Sequence, residues 1–223
     1  MGDASRKTAL FEQLARVGKA LASGKRLELL DLLAQAERPV DALAGAARLN
    51  LTTASAHLQT LKQAGLVVTR REGTKIFYRL AGDDVADLYV RAREVAAAHL
   101  PDVAAARDAY LGSGPARGTD VETIGREELL RRVESGEAVV LDVRPPNEYA
   151  AGHLPGAINI PVGELAERMR EVPADAQIVA YCRGPYCVFA HDAVRLLRER
   201  GRRAMRLDDG VTEWRLAGLP VEA

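Results

Sequence analysis

Residues 51–80 read LTTASAHLQTLKQAGLVVTRREGTKIFYRL, and this stretch decides the fold of the first half of the chain. Its first part predicts a helix, because Ala54, Leu58 and Leu61 recur at helical spacing and form a narrow apolar stripe. Gly65 is expected to end that helix. The second part changes to strand chemistry: two β-rich runs flank residues 71–74 (REGT), which predicts a hairpin turn there.

Helical patterns lie on both sides of this stretch. Apolar residues at three- and four-residue steps in residues 8–21 predict an amphipathic first helix. Ser23 is suited to cap a second helix, and a short third helix is expected after Pro39. Residues 83–110 return to a helical pattern, with a kink expected at Pro101. Three helices, then a recognition helix, a β-hairpin and a last helix are the element order of a winged helix-turn-helix.

Polar groups in this half predict contacts to double-stranded operator DNA. The helix that begins near residue 52 carries short or polar side chains outside its apolar stripe: Thr52, Thr53, Ser55, His57 and Gln59. Such groups near a helix N-terminus can reach base edges in the major groove. The hairpin places Arg70, Arg71 and Lys75 around its turn, which suits phosphate or minor-groove contact.

The same residues resemble the ArsR-type winged-helix repressors. The match is carried by RLELLDLL (26–33) and by the HL…L…AGLV…REG…YRL frame of residues 57–80. The resemblance implies a homodimer built from the first and last helices, which releases DNA when an effector binds. Many relatives hold a metal through cysteines on the third helix, but VDALAGAAR (40–48) contains none, so we expect no thiolate metal site here. His57 is interpreted as DNA-facing or packed rather than as a metal ligand.

The second half has an α/β pattern. Residues 111–119 (LGSGPARGT) contain three glycines and a proline, which predicts a linker. Apolar runs at residues 138–143 and 177–181 predict buried strands of a parallel sheet, with helical patterns at 127–133, 162–169 and 188–200. We therefore predict a DNA-binding and dimerisation domain over residues 1–110, the linker, and an α/β domain with a parallel sheet over residues 120–223.

A cysteine stands where the second predicted strand ends. The segment AYCRGPYCVFAHDAVRLLRERG (180–201) places Cys182 directly after the strand and ahead of a helix. Inward-facing backbone N–H groups and the helix dipole would stabilise a thiolate there, and a thiolate is a nucleophile. The alternative is that Cys182 is only a small buried apolar residue.

Three blocks of this half resemble the rhodanese domain: VVLDVRPPNEYAAGHLPGAINIP (139–161), YCRGPYC (181–187) and GVTEWRLAGLPV (210–221). The resemblance implies that Cys182 attacks a sulfane-sulfur donor and carries the sulfur as a persulfide. The loop around it would be formed by Arg183, Gly184, Pro185, Tyr186 and Cys187. Asp142 and Arg144 would support the site, with Glu148 as an ion-pair partner of Arg144; the alternative is a purely structural hydrogen-bond network. Trp214 is expected in the core.

Loop length separates sulfur chemistry from phosphoryl chemistry. Related phosphatases and arsenate reductases use a Cys-x5-Arg loop, whereas the sixth residue after Cys182 is Val188. Cys187 closes the shorter loop and could attack a Cys182 persulfide, giving an internal di- or polysulfide. The alternative is that Cys187 fills space or resolves accidental oxidation.

The distribution of charge along the chain agrees with a division into two domains. The net charge is zero, with 31 Lys+Arg and 31 Asp+Glu. The first 100 residues carry a net +4 and the remainder a net −4, which agrees with an anionic partner for the first half. No apolar run is long enough for a membrane span or resembles a signal peptide, so we expect a cytoplasmic protein. Two cysteines are too few for a disulfide scaffold or a cysteine-based zinc site.

Together with the two resemblances, these patterns lead us to expect a sulfur-responsive transcriptional repressor that needs no cofactor. Its partners would be operator DNA, a second copy of the chain, and thiosulfate or a thiol persulfide as sulfur donor. One alternative is a sulfurtransferase whose DNA-binding half regulates its own expression, with no signal between the domains. Another is a thiol redox or arsenite sensor, although arsenite usually takes three thiolates and the chain has two cysteines.

Overall fold

The computed structural model describes residues 2–112 and 121–223. The chain divides into two compact units, the first ending at Tyr89 and the second beginning at Val90. Residues 113–119 of the predicted linker lie outside the described residues, as does residue 120. The predicted domain boundaries at residues 110 and 120 therefore stay predictions.

The first unit is a winged helix-turn-helix, as predicted. Its helices are α1 (Gly2–Leu21), α2 (Gly24–Gln35), α3 (Val40–Ala46) and α4 (Leu51–Gln63), followed by the start of α5 (Asp83–His99). Its strands are β1 (Arg38–Pro39), β2 (Val67–Glu72) and β3 (Lys75–Leu80), which form an antiparallel sheet in the order β1-β3-β2. The short strand β1 has no strand pattern of its own in the sequence.

Helix α4 forms for reasons that are visible in the sequence. The Asn50 side chain accepts a hydrogen bond from the Thr53 backbone at 2.8 Å and caps the helix. Ala54, Leu58 and Leu61 are completely buried. Gly65 follows the helix with a φ of +78°, a conformation that glycine adopts without strain.

The hairpin turn is tighter than the sequence predicts. Strand β2 continues to Glu72, which pairs with Lys75, so only Gly73 and Thr74 remain in the turn. Gly73 has a φ of +59°, which allows a two-residue connection between twisted strands. Arg71 is consequently a strand residue beside the turn rather than part of it.

The helix predicted over residues 83–110 is two helices. Helix α5 ends at His99, and α6 (Pro101–Leu111) begins directly after Leu100. Proline has no N–H to donate and restricts the residue before it, so Pro101 starts a new helix instead of kinking one. Residues of α5 from Val90 onward belong to the second unit.

The second unit is an α/β fold with a parallel sheet, as predicted, and five strands of that sheet lie within the described residues. Its strands are β4 (Thr123–Ile124), β5 (Ala138–Asp142), β6 (Ile158–Asn159), β7 (Gln177–Tyr181) and β8 (Ala204–Leu207), in the sheet order β4-β8-β7-β5-β6. After α6, its helices are α7 (Arg126–Glu134), α8 (Pro146–Ala150), α9 (Leu165–Arg168), α10 (Val188–Glu199) and α11 (Val211–Leu216). The helix predicted over residues 162–169 is shorter: α9 begins only at Leu165, and it passes into a 3-10 turn at Met169–Glu171.

Two apolar clusters cover the two faces of this sheet. Along β7, Ile178 and Ala180 belong to one cluster, and Val179 and Tyr181 belong to the other. The first cluster continues into Cys182. Trp214 lies in the second cluster as predicted, buried and donating from Nε1 to the Pro220 carbonyl at 2.9 Å.

Candidate functional site

The two cysteines stand at the two ends of one loop. Cys182 follows β7 directly, and Cys187 occupies the N-cap position of α10. Their Cα atoms are 6.2 Å apart, and their sulfur atoms form a disulfide. Cys182 is only 2% exposed. We name residues 182–187 the sulfur loop.

The sulfur loop is placed where parallel sheets usually hold reactive groups. It connects the carboxyl end of a central strand with the N-terminus of a twelve-residue helix. The Cys187 backbone donates to the Gly184 carbonyl at 3.1 Å and closes the turn. In a reduced loop, the N-terminal end of α10 would favour a thiolate over a thiol.

Gly210 fixes the loop from one side, and the sequence reasoning did not single it out. A Cβ atom on Gly210 would lie 2.3 Å from the carbonyl carbon and oxygen of Arg183, and 2.4 Å from the Gly184 nitrogen. Only a residue without a side chain permits this approach of two backbones. The signal in the sequence is the glycine that opens the GVTEW block.

A buried ion pair anchors the start of the loop. The Arg183 guanidinium donates to both Glu148 oxygens at 2.6–3.1 Å, and the Glu148 side chain has no exposed surface. The same guanidinium lies 5.2 Å from the Phe189 ring centre. Glu148 was predicted to pair with Arg144; its charge does raise the pKa of Arg144, but its carboxylate also holds Arg183.

Asp142 and Arg144 form a second buried pair. The Arg144 guanidinium donates to Asp142 at 2.6 Å and to the Gly152 carbonyl at 2.7 Å, and both side chains are completely buried. Burial lowers the pKa of Arg144, but the hydrogen bonds and charge of Asp142 outweigh it, so the pKa is raised. Tyr181 donates its hydroxyl to Asp142 at 2.5 Å, and burial followed by the Asp142 charge raises its pKa.

The hydrogen-bond network of Asp142, Arg144 and Tyr181 stabilises the strand end from which the loop departs. Asp142 alternates along β5 with Leu141 and Val143, which belong to the apolar cluster of Cys182. Its side chain therefore lies on the other face of the sheet, together with Tyr181, the residue that precedes Cys182. Asp142 and Arg144 thus fix the end of β7 from which the loop departs.

Two further charged residues contact the loop and were missed by the sequence reasoning. Arg93 of α5 donates to Glu213 at 2.6 Å, with side chains only 12% and 9% exposed. Glu213 also accepts from the Gly210 backbone at 2.9 Å. The Arg93 guanidinium lies 5.4 Å from the ring centre of Tyr186, inside the sulfur loop. Glu213 belongs to the GVTEW block, but nothing in the local sequence marks Arg93.

The candidate DNA-contacting residues of α4 differ in exposure. Thr52 and Gln59 are exposed, whereas Thr53, Ser55 and His57 are half-buried. Gln59 donates to the Tyr78 hydroxyl at 3.2 Å, which links the helix to β3. The structure therefore keeps all five side chains off the buried stripe of the helix.

The basic residues of the β2–β3 hairpin, which is the wing of the fold, are exposed but differ in their hydrogen-bonding and ionic partners. Arg70 is bound by two carboxylates, Glu37 and Glu72, and its guanidinium lies 4.4 Å from the Phe77 ring centre. Hydrogen bonds from Glu72 and Glu37 raise the pKa of Arg70. Arg71 donates to the Gly73 carbonyl at 3.0 Å, so its guanidinium is held at the turn by a neutral group.

Neither a metal centre nor a membrane span is found in the part of the chain that the structure describes. Among residues 2–112 and 121–223, no three or more His, Cys, Asp or Glu side chains are grouped to hold a metal ion. No helix in these ranges has both the length and the apolar character that a bilayer crossing requires.

Comparison with known proteins assigns both units to families. The model of the bacterial regulatory protein, arsR family, matches residues 23–69, and that of the rhodanese-like domain matches residues 125–217. The HTH-type transcriptional regulator Rv0324 of Mycobacterium tuberculosis is 59% identical over 221 residues, covering 99% of this chain and 95% of that protein.

Other relatives match one half each. A sulfurtransferase of Allochromatium vinosum is 35% identical over 105 residues, covering 46% of this chain and 96% of that protein. The solution structure of the homodimeric winged helix-turn-helix domain of Mb0332 from Mycobacterium bovis is 59% identical, covers 46% of this chain and 94% of that chain, and has a TM-score of 0.42. The chain belongs to the arsR family of bacterial regulatory proteins and carries a rhodanese domain at its C-terminal end.

Proposed function

We propose that this protein is a DNA-binding transcriptional repressor that responds to sulfane sulfur through Cys182. The observation that carries the proposal is the sulfur loop: two cysteines within bonding distance, at the carboxyl end of a buried strand and the start of a helix. The regulatory role follows from the arsR-family domain and from the near full-length likeness to an HTH-type transcriptional regulator. The sulfur chemistry is supported by the rhodanese domain.

The proposed chemistry starts from the reduced loop. The Cys182 thiolate attacks the outer sulfur of the donor, so a new S–S bond forms while the donor's own S–S bond breaks. The electron pair leaves on sulfite when the donor is thiosulfate, or on a thiolate when it is a thiol persulfide. Cys182 then carries one added sulfur as a persulfide.

Cys187 completes the reaction in the proposed mechanism. Its thiolate attacks the Cys182 sulfur, the persulfide bond breaks, and hydrosulfide leaves as the Cys182–Cys187 disulfide closes. A trisulfide forms instead when both cysteines carry an added sulfur and one hydrogen sulfide is released. Either product removes the thiolate charge from the loop and ties its two ends together.

Helix α5 supports a route from the loop to the DNA-binding unit. Arg93 contacts Glu213 and Tyr186 at the sulfur loop. Four residues earlier on the same helix, Tyr89 donates its hydroxyl to Asp31 of α2 at 3.0 Å. A change in loop charge would therefore act on the helix that also packs within the first unit.

A homodimer is part of the proposal. The apolar residues Leu10, Phe11 and Leu14 of α1 are 57–60% exposed in a single chain. A stripe of large apolar side chains on a first helix favours burial against a second copy. As for other symmetric repressors, the operator of such a dimer would contain two half-sites about one helical turn apart.

The proposal is tested by DNA binding before and after exposure to a thiol persulfide. DNA selected from a random pool by the reduced protein serves as the operator. We expect treatment to change the affinity of the wild type by about tenfold or more, a coupling within the usual range for regulators. Cys182→Ser should not respond, and mass spectrometry should find added sulfur or a new disulfide in the wild-type loop. An identical response of the wild type and Cys182→Ser would refute the sensing role.

The variant Arg93→Met tests whether the signal passes from the sulfur loop to the DNA-binding unit through α5. The variant should still load sulfur on Cys182 but lose most of the change in DNA affinity, because the loop no longer pairs with α5. Arg91→Met is the matched control, since Arg91 lies on the same helix and its ion pair with Glu94 is exposed. An undiminished response in Arg93→Met would show that the signal does not pass through this contact.

A sulfurtransferase without interdomain signalling is the second candidate. The likeness of residues in the second unit to a sulfurtransferase of Allochromatium vinosum favours it. Steady turnover of thiosulfate with unchanged DNA affinity would identify this function. A plain thiol redox sensor is the third candidate, supported by the Cys182–Cys187 disulfide, and a loop that closes with an oxidant but never retains or releases sulfur would identify it.

A further inference from the structure

A cavity of about 760 Å³ lies beside the sulfur loop in the second unit. Pro185 and Tyr186 of the loop line it, together with His191 of α10, Arg206 of β8 and Arg107 of α6. A volume of this size fits small organic ligands and exceeds what a single inorganic ion fills. The mechanism proposed above uses none of the last three residues.

His191 has unmet hydrogen-bonding capacity in this cavity. It is 5% exposed, yet neither of its ring nitrogens has a hydrogen-bond partner among the described residues. The Nε of Arg206, which is 7% exposed, also lacks a partner within that part of the chain. Buried polar groups are rarely left unpaired, so a ligand that accepts hydrogen bonds from a His191 ring N–H and from the Arg206 Nε–H is expected here.

The charged groups around His191 indicate which ligand group fits there. Burial, followed by the charges of Arg206, Arg195 and Arg107, lowers the pKa of His191 to about 4. The carboxylates that line the cavity are each paired with an arginine: Glu94 with Arg91, Asp108 with Arg107, Glu122 with Arg198, Asp208 with Arg206, Asp209 with Arg126, and Glu213 with Arg93. The guanidinium groups of Arg206 and Arg107 line the cavity together with His191 and present N–H donors, so a ligand group with acceptor oxygens is favoured there.

We propose that this cavity binds the anionic head of the sulfane-sulfur donor, with His191 and the Nε of Arg206 as its hydrogen-bonding groups. The inference rests on the proposed function, because it assigns the binding site of the molecule that loads Cys182. The head group is the sulfonate of thiosulfate or a carboxylate of a peptide-like thiol persulfide. Tyr186 lies next to Cys187 and lines the cavity, so a bound head group sits against the loop that receives the sulfur.

Binding is measured on the full chain carrying Cys182→Ser and Cys187→Ser, which has no cysteine left to accept sulfur. Calorimetric titrations with thiosulfate form one arm, and titrations with glutathione persulfide and with glutathione form the other. The arm that gives the tighter binding identifies the source of the anionic head. In both arms His191→Phe should weaken binding by about tenfold or more, because it removes hydrogen bonds to a charged group. His153→Phe is the matched control, since His153 is also a buried histidine and does not line this cavity.

Two further measurements keep the proposal falsifiable if His191→Phe does not fold. Arg107 is exposed on α6, so Arg107→Gln should fold and weaken binding several-fold. The ring ¹⁵N resonances of His191 should shift during the titration of the chain that carries only Cys182→Ser and Cys187→Ser. Equal affinities for the His191 and His153 variants, an unchanged affinity in Arg107→Gln, or unshifted His191 resonances at saturation would overturn the proposal.

The proposal and the proposed function fail in different ways. With Cys182 intact, His191→Phe should raise the donor concentration needed for half-maximal sulfur loading while leaving full loading attainable. Unchanged half-loading would overturn the cavity assignment and leave the sensing role standing. Normal donor binding without any change in DNA affinity would support the cavity and refute the sensing role.

Discussion

The two candidate sites of this molecule differ in where their charged side chains lie: they are exposed at the DNA-binding wing and paired within the fold at the sulfur loop. On the DNA-binding side, Arg71 and Lys75 are exposed at the turn of the wing. At the sulfur loop, Glu148 and Arg183 pair within the fold, and Glu148 has no exposed surface. A surface that meets a polyanion needs mobile, solvated cations, whereas a loop that holds a reactive sulfur needs fixed geometry. Substitutions should therefore cost stability at the loop and DNA affinity at the wing.

The largest expected effect is the loss of Arg144. Arg144→Met leaves Asp142 completely buried without its main cation, and breaking such a pair costs about 3–5 kcal/mol of unfolding free energy. Arg91→Met removes an exposed pair and should change stability by less than about 1 kcal/mol. Urea unfolding followed by circular dichroism measures both. Similar losses for the two variants would remove the contrast between buried and exposed charge.

His191 should make stability depend on pH. Its folded pKa of about 4 lies below the usual 6.5, so the folded protein binds fewer protons than the unfolded chain between these values. His191 thereby contributes roughly 3 kcal/mol to the free energy of unfolding. This contribution is complete above pH 6.5 and is lost as the pH falls toward 4. His191→Leu should flatten that part of the pH profile, and His153→Leu should retain it. An equal slope in both variants would assign the dependence to other groups.

Gly210→Ala tests whether the loop tolerates any displacement. The added methyl would lie 2.3 Å from the Arg183 carbonyl, and such overpacking costs about 1–3 kcal/mol. Sulfur loading of Cys182 should also slow, because the Arg183–Gly184 backbone must move. Gly163→Ala is the control, since a Cβ there meets no atom within 4 Å. Normal loading with lowered stability would show that Gly210 matters for folding alone.

The sequence predicts what depends on local spacing. The stripe of Ala54, Leu58 and Leu61 and the position of Cys182 after a strand both follow from patterns of a few residues. The contact of Arg93 with Glu213 joins residues 120 positions apart, so no local pattern contains it. The close approach of Gly210 to the loop and the pairing of β1 with β3 are also long-range. Both are therefore visible only in the folded chain.

The smallest expected effect separates two neighbouring arginines of the wing. Arg70 is neutralised by Glu37 and Glu72, whereas Arg71 is held by a backbone carbonyl and keeps its charge available to phosphate. Arg71→Gln should weaken operator binding several-fold and reduce the slope of log affinity against log salt by about 1. Arg70→Gln should change that slope by much less, because it removes a charge that the two carboxylates already balance. Equal slopes for the two variants would mean that DNA displaces the carboxylates from Arg70 and that both arginines offer their charge to phosphate.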